Sequence, residues 1–156
     1  MKIIKAEIKH CSDVLNITHT TIKSIYPHYY PEGAVNFFLD HHNENNILTD
    51  IKSGYVYMLI DKQKIIGTVT LKENELNRLF VLPEFQGMGF GRMLLEFSED
   101  TIFKEHTEII ISASLPAKKL YLKRNYIETG YNMIATQNGD FLCYDEMKKY
   151  NNKKEK

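Results

Sequence analysis

The sequence has little cysteine, no tryptophan and no long apolar run. Of its 156 residues only Cys11 and Cys143 are cysteines, and neither belongs to a Cys-x-x-Cys pair. A disulfide scaffold and a cysteine-ligated zinc site are therefore disfavoured, and a reducing cytoplasm is the expected location. No apolar stretch is long enough to span a membrane, and the opening residues MKIIKAEIKHC turn charged too soon for a signal peptide.

The formal net charge is zero, but the charges are unevenly distributed. Residues 148–156, KKYNNKKEK, contain five lysines and one glutamate, so this segment carries +4 and the rest of the chain −4. A negatively charged body is a poor match to nucleic acid, and no nucleic-acid partner is expected. We expect a single domain over residues 1–147, followed by a basic, flexible tail over residues 148–156.

Hydrophobic periodicity predicts an α/β fold with the element order β-α-α-β-β-β-α-β-α-β-β. Its sheet is expected to be mixed and mostly antiparallel, because short polar links join the three middle strands and Asn138-Gly139 predicts a closing hairpin. Helices are expected from Ser12 or Asp13 to Pro27, after Pro31, from Phe90, and from Pro116 to about Arg124. The predicted strands are residues 2–8, 54–60, 65–71, 75–82, 108–113, 127–135 and 141–147.

Three glycines, Gly87, Gly89 and Gly91, stand between a predicted strand and a predicted helix. Glycine is costly inside regular structure, so this density indicates a backbone that a ligand must approach closely. Unpaired N–H groups at a helix start favour an anion, and Arg92 in the first turn adds a cation. The loop is therefore a predicted phosphate site; a tight turn that needs glycine only for its shape is the alternative.

The sequence does not match two familiar phosphate-binding loops, because its glycine and lysine residues have a different spacing. A P-loop needs a Gly-Lys pair, which the chain lacks, and a GxGxxG dinucleotide loop would place glycine where Arg92 stands. The acidic residue that such a loop needs about 20 positions later would fall among Ile109 to Ile111. Nucleotide binding through some other arrangement remains a rival interpretation.

The segment LFVLPEFQGMGFGRMLL, residues 79–95, resembles motif A of the GCN5-related N-acetyltransferases. That motif is a hydrophobic strand, a proline and then [RQ]-x-x-G-x-[GA], which Gln86, Gly89 and Gly91 match. The segment SASLPAKKLYLKRNYIETG, residues 112–130, is similar to motif B, N-x-x-A-x-x-F-Y-x-x-x-G-F, although Ser114 replaces its asparagine and Asn125 its glycine. Both motifs occur in order, and the order of elements matches the family over essentially the whole chain.

The resemblance implies acetyl-CoA as the acetyl donor. In this family the pantetheine arm lies along the fourth strand and the pyrophosphate rests on the glycine loop, while a backbone N–H near Phe80 or Val81 polarises the carbonyl. The residues that the resemblance assigns to coenzyme A are Leu79, Phe80, Val81, Gln86, Gly87, Met88, Gly89, Phe90, Gly91, Arg92, Ser114 and Tyr121.

The resemblance also implies transfer to a primary amine by direct attack, with Tyr121 as the general acid. A carboxylate base is not evident, since Asn77 and the apolar Ile109 and Ile111 stand where some relatives carry glutamate. Glu75 or a water relay could take the proton. The missing carboxylate leaves a non-catalytic CoA-binding or regulatory module as the alternative function.

The acceptor is expected to be a small-molecule or peptide amine. In the resembled family, the acceptor site is lined by the region that corresponds to residues 24–38, SIYPHYYPEGAVNFF. We assign Tyr29, Tyr30, Glu32 and Asn77 to the substrate, with aromatic core packing as the alternative for this region. A homodimer is consistent with the family, and no membrane association is expected.

No metal site is predicted. His41 and His42 are adjacent, so on a helix their side chains point apart, and no cysteine or carboxylate completes a ligand set at suitable spacing. We expect this pair to be an ordinary solvated helix end.

Overall fold

One seven-stranded sheet runs through the protein. The computed structural model describes residues 1–152. The strands are Lys2–Lys5 (β1), Val56–Asp61 (β2), Lys64–Lys72 (β3), Glu75–Val81 (β4), Glu108–Ala113 (β5), Ile127–Ala135 (β6) and Phe141–Tyr150 (β7). They are arranged in the order β1-β2-β3-β4-β5-β7-β6. Among the strands of residues 1–152, only β4 and β5 pair in parallel, so the predicted mixed, mostly antiparallel sheet is confirmed.

Five α-helices accompany the sheet within the described residues. They are Cys11–Ile25 (α1), Glu32–His41 (α2), Glu44–Lys52 (α3), Phe90–Ile102 (α4) and Lys118–Lys123 (α5). Helix α3 is not among the elements predicted from the sequence. Its start is capped by Asn43, whose side chain accepts a hydrogen bond from the N–H of Asn46 at 2.8 Å, and its inner face buries Ile47 and Ile51.

The helices pack on the sheet through separate apolar clusters. Leu94 of α4 and Ile111 of β5 belong to one cluster. Ile17 of α1, Ala34 of α2 and Phe80 of β4 belong to another. This packing holds α1 and α2 over the same stretch of β4 that leads into the glycine loop.

A β-bulge in β4 opens the centre of the sheet. On β3, Thr68 pairs with Phe80 but Thr70 pairs with Asn77, so β4 carries one extra residue in this interval. The bulge includes Arg78, which has a left-handed φ of 52°. Bulges bend the strand that carries them. Along β5 the only pairs with β4 join Glu75 to Ile110 and Leu76 to Ile111 within the described chain, so the two strands separate beyond Leu76.

The predicted domain end at residue 147 lies inside β7. This strand continues through Tyr150 because it pairs with β5 along that length. Lys148 and Lys149, assigned to the tail from the sequence, are paired with Glu108 at 3.7 Å and Glu99 at 2.8 Å. The remainder of the predicted tail, residues 153–156, falls outside the described residues. In residues 1–152, no helix has both the length and the apolar character needed to cross a bilayer.

Candidate active site

The glycine loop adopts a backbone that other residues reach only with strain. Gly87 has a φ of 78°, and Gly89, which immediately precedes α4, has a φ of 89°. A Cβ added at either position would meet no atom within 4 Å. Glycine is therefore needed here for its left-handed conformation, and open space lies beside the loop.

A run of unpaired backbone donors follows this loop into α4. The N–H groups of residues 87–92 donate to no other group of the described chain. The first bond at this end of the helix joins the N–H of Met93 to the carbonyl of Gly89 at 3.0 Å. Six free donors at the positive end of a helix dipole are an arrangement that favours an anion. Arg92 adds a guanidinium that is exposed and paired with Glu96 at 2.9 Å.

A cavity of about 330 Å³ lies along this loop and is called here the loop groove. Nine of the twelve residues assigned to coenzyme A from the sequence line it. Met88 is 65% exposed and outside the lining, whereas Phe90 packs its ring against Phe85 at 6.3 Å. The nine lining residues are Leu79, Phe80, Val81, Gln86, Gly87, Gly89, Gly91, Arg92 and Ser114.

The backbone of Val81 faces the opening in the sheet. Its carbonyl accepts hydrogen bonds from Gln86 Nε2 at 2.9 Å and from Thr21 Oγ1 at 3.4 Å. The N–H of the next residue, Leu82, donates to Ile66 at 2.9 Å. Successive residues of a strand direct their polar groups to opposite sides, so the N–H of Val81 points away from β3. Of the two donors considered from the sequence, this geometry favours Val81.

A second cavity, of about 240 Å³, adjoins the groove and is called here the aromatic cavity. Five residues line both spaces and define their junction: Tyr26, Leu79, Phe80, Ser114 and Ala117. At this junction the hydroxyl of Tyr26 donates to Ser114 Oγ at 3.2 Å. The other aromatic side chains of the cavity are Phe37, Phe38, His41, His42, Tyr121 and Tyr144.

Tyr121 lines the aromatic cavity and not the loop groove. Its side chain is nearly buried, and this burial, reinforced by the nearby Tyr26, raises the pKa of its phenol well above the ordinary value. Its hydroxyl has no hydrogen-bond partner among residues 1–152. Burial likewise raises the pKa of Tyr26 to about 12. Both phenols therefore remain protonated donors at neutral pH.

A network of ionic contacts and hydrogen bonds lies behind the wall of the aromatic cavity. The guanidinium of Arg78 contacts Asp50 at 2.9 Å, His42 Nδ1 at 3.0 Å and Thr70 Oγ1 at 3.2 Å. Lys72 reaches the same carboxylate of Asp50 at 2.9 Å. Burial, and then the Arg78 charge, lower the pKa of His42 to about 3. The expectation of an ordinary solvated helix end is thus wrong for His42, which is a neutral side chain of the cavity wall.

Three of the four residues assigned to the acceptor lie elsewhere. Asn77 lines the aromatic cavity, but Tyr29, which is 52% exposed, and Glu32, which is also exposed, line neither space. Tyr30 is buried for a structural reason: its hydroxyl donates to the Cys143 carbonyl at 3.0 Å and accepts from the Leu115 N–H at 2.7 Å. It fastens β7 and the segment before α5 together.

Glu75, the carboxylate considered as a base, is exposed at the first position of β4 and lines neither cavity. Within the described part of the chain, no group of three or more His, Cys, Asp or Glu side chains is arranged to hold a metal ion.

Several aromatic residues of the cavity were not assigned to a site from the sequence. Phe37 and Phe38 are on α2, Tyr26 follows the end of α1, and Tyr144 is on β7. Tyr26 and Phe38 form a perpendicular ring pair with centroids 4.8 Å apart. The high aromatic content of residues 24–38 was the available signal, but it did not distinguish a ring that lines a cavity from one that only fills the core.

Comparisons with known proteins give a consistent assignment. Residues 25–150 match the family model described as an acetyltransferase (GNAT) domain. No curated protein sequence gives a significant match. The crystal structure of a GCN5-related N-acetyltransferase from Rhodopseudomonas palustris is similar, with a TM-score of 0.88 at 18% identity, over 96% of this chain and 95% of that one.

Two similar structures contain the coenzyme. PaiA N-acetyltransferase from Thermoplasma acidophilum, in complex with coenzyme A, has a TM-score of 0.71 at 19% identity, over 96% of this chain and 98% of that one. A putative acetyltransferase, YncA, from Salmonella typhimurium with acetyl-CoA has a TM-score of 0.74 at 15% identity, over 96% and 93%. The fold is shared with these structures, and the family match spans most of the chain: the protein belongs to the GNAT acetyltransferase family.

Proposed function

We propose that the protein is an acetyl-CoA-dependent N-acetyltransferase that acts on a primary amine within a ternary complex. One observation carries this proposal: the loop groove and the aromatic cavity share the walls formed by Tyr26, Phe80 and Ser114. A donor in the groove and an acceptor in the cavity would meet at this junction. Family membership supports acetyl transfer, and the coenzyme in two similar structures supports the donor.

The residues of the groove fit coenzyme A. The six unpaired N–H groups of residues 87–92 would hold the pyrophosphate, since the left-handed Gly87 and Gly89 leave the space beside them open. Arg92 would add positive charge at the same end. Apolar walls at Leu79 and Leu120 suit the less polar arm of the coenzyme.

The chemistry required of the site is simple. Bound acetyl-CoA supplies a thioester, at whose carbonyl carbon a neutral amine forms a C–N bond while the C–S bond breaks and the sulfur leaves as a thiolate. We assign polarisation of the carbonyl to the N–H of Val81, because that group faces the opening between β4 and β5. A fixed donor at a developing oxyanion stabilises the transition state.

Tyr121 is the proposed general acid. Its raised pKa keeps the proton on the phenol at neutral pH, and its hydroxyl has no partner among the described residues, so the proton is available to the leaving sulfur. Glu75 lies outside both spaces, and we propose that the proton of the attacking amine leaves through water instead.

The rival function is a module that binds CoA without catalysis. The two functions are separated by measuring free thiol released from acetyl-CoA across a panel of primary amines, with donor and acceptor both varied. If the protein is an enzyme that works through a ternary complex, we expect amine-dependent release of the thiol and intersecting lines in double-reciprocal plots of initial velocity. Saturable acetyl-CoA binding with no amine-dependent release above the uncatalysed rate would favour the module. Binding of ATP or NAD that acetyl-CoA does not displace would favour a nucleotide site.

A further inference from the structure

The aromatic cavity also constrains the acceptor, and the constraint rests on the proposed function. We infer that the acceptor is a small primary amine whose remainder is aromatic or apolar and carries no second positive charge. Three features of the cavity support this inference: the chemistry of its wall, the charge behind the wall and the size of the space.

The wall of the aromatic cavity contains aromatic rings and, among the described residues, no carboxylate. Aromatic side chains approach the cavity from α2, β4, α5 and β7, and from Tyr26 directly after α1. No aspartate or glutamate of residues 1–152 lines it. The carboxylate of Asp40 lines a different, polar cavity, which shares only Phe37 with the aromatic one among the described residues. Burial of an aromatic ring against such a wall stabilises the complex, whereas a buried ammonium would lack a carboxylate partner.

The charge behind the wall is positive. Asp50 is contacted by both Arg78 and Lys72, each at 2.9 Å, so two cations share one carboxylate. Arg78 lines the cavity, and its guanidinium is already engaged with Asp50, His42 and Thr70. A net positive network disfavours a further cation next to it and favours the neutral form of a bound amine. The neutral form is the one that attacks a carbonyl carbon.

The space suits a ring with a short chain. A cavity of 150 Å³ is known to hold benzene, and the aromatic cavity has about 240 Å³. The added volume accommodates a short alkylamine arm directed toward the junction at Tyr26 and Ser114. A flexible diamine of similar length would place its second ammonium among Phe37, Phe38 and Tyr144.

The inference is tested by kcat/KM for 2-phenylethylamine, 1,4-diaminobutane and a lysine-containing peptide, measured by thiol release with saturating acetyl-CoA. We expect 2-phenylethylamine to exceed both others by at least tenfold. A preference for the diamine or the peptide overturns the inference while leaving the proposed function intact. Absence of amine-dependent release with all three overturns the inference and counts against the proposed function.

A matched pair of variants tests the electrostatic part directly. Phe37 lines the cavity and is 37% exposed, so replacement by a polar residue is compatible with folding. Phe37→Glu adds the missing carboxylate, and Phe37→Gln has nearly the same shape without the charge. We expect the ratio of diamine to phenylethylamine kcat/KM to be at least tenfold higher in Phe37→Glu than in Phe37→Gln. Equal ratios in the two variants overturn the inference.

Discussion

Arg78 and His42 are joined by a hydrogen bond in which Arg78 Nε donates to His42 Nδ1 at 3.0 Å. An imidazole that accepts at Nδ1 carries its proton on Nε2, so this bond fixes the tautomer. It also joins the C-terminal end of α2 to the bulge of β4, two elements that wall the aromatic cavity. His42 is consequently a neutral wall residue and is unsuited to act as a base.

Removing the guanidinium should destabilise the protein, because it would leave Asp50 buried with only Lys72 as a cationic partner. We expect Arg78→Met to lower the free energy of unfolding by about 3 kcal/mol, measured by urea denaturation. Arg92→Met is the matched control, since Arg92 forms an exposed pair with Glu96. The control should change stability by less than about 1 kcal/mol. Similar losses in the two variants would contradict the account of a buried network.

His42 should make stability depend on pH. Its folded-state pKa of about 3 lies below the ordinary value near 6.5, so below about pH 6.5 the unfolded state binds a proton that the folded state excludes. Stability should therefore fall as the pH drops from about 6.5 toward 3. Between pH 7 and 5 the wild type should lose about 2 kcal/mol more than His42→Asn, which keeps an acceptor for Arg78 but does not titrate. Equal pH dependence of the two proteins in urea titrations would show that His42 is not the cause.

The glycine loop should be sensitive to a side chain at Gly89. Gly89→Val is expected to weaken acetyl-CoA binding at least tenfold by calorimetry, because the side chain would occupy the open space beside the unpaired N–H groups and strain the left-handed backbone. Gly139→Val is the matched control: Gly139 has a φ of 86° and equally open surroundings, but it lies in the β6–β7 hairpin. The control should bind acetyl-CoA within twofold of wild type. If Gly89→Val folds and binds normally, the pyrophosphate does not rest on this loop.

Loss of the Tyr121 hydroxyl should affect the rate and little else. We expect Tyr121→Phe to lower kcat at least tenfold, as is usual when a general acid is removed, with acetyl-CoA affinity nearly unchanged. Thermal stability should also be preserved, since this hydroxyl has no partner among the described residues.

The neighbouring Tyr126 supplies the comparison for that variant. Its ring lies 5.5 Å from that of Tyr121, but its hydroxyl bonds to Glu99 at 3.3 Å and it lines neither cavity. Tyr126→Phe should reduce stability without reducing kcat. A kcat of Tyr121→Phe within twofold of wild type would make Tyr121 a packing residue.

Sequence patterns predicted the elements well where periodicity was strong. The strands Glu108–Ala113 and Ile127–Ala135 have the predicted bounds, and α4 begins at Phe90 as expected. Helix α3 was missed because its first turn is polar and its apolar face is short. The end of β7 was missed because Lys148 and Lys149 resemble a solvated tail until their acidic partners on other elements are known.

The loop groove was more predictable than the acceptor wall for a physical reason. The end of the groove proposed to hold the pyrophosphate consists of consecutive residues, 87–92, whose N–H groups are free by local geometry. The wall depends on contacts between distant segments: Tyr30 was assigned to the substrate, yet its hydroxyl is used by Cys143 and Leu115. Likewise, the role of His42 follows from Arg78, 36 residues away in sequence.

The most direct measurement for the central claim is a crystal structure of the protein with coenzyme A. The account predicts the pyrophosphate within hydrogen-bond distance of the N–H groups of residues 87–92 and the sulfur at the junction formed by Tyr26, Phe80 and Ser114. A coenzyme whose pyrophosphate binds away from this loop, or whose sulfur does not reach that junction, would contradict the claim that the groove and the aromatic cavity form one acetyl-transfer site.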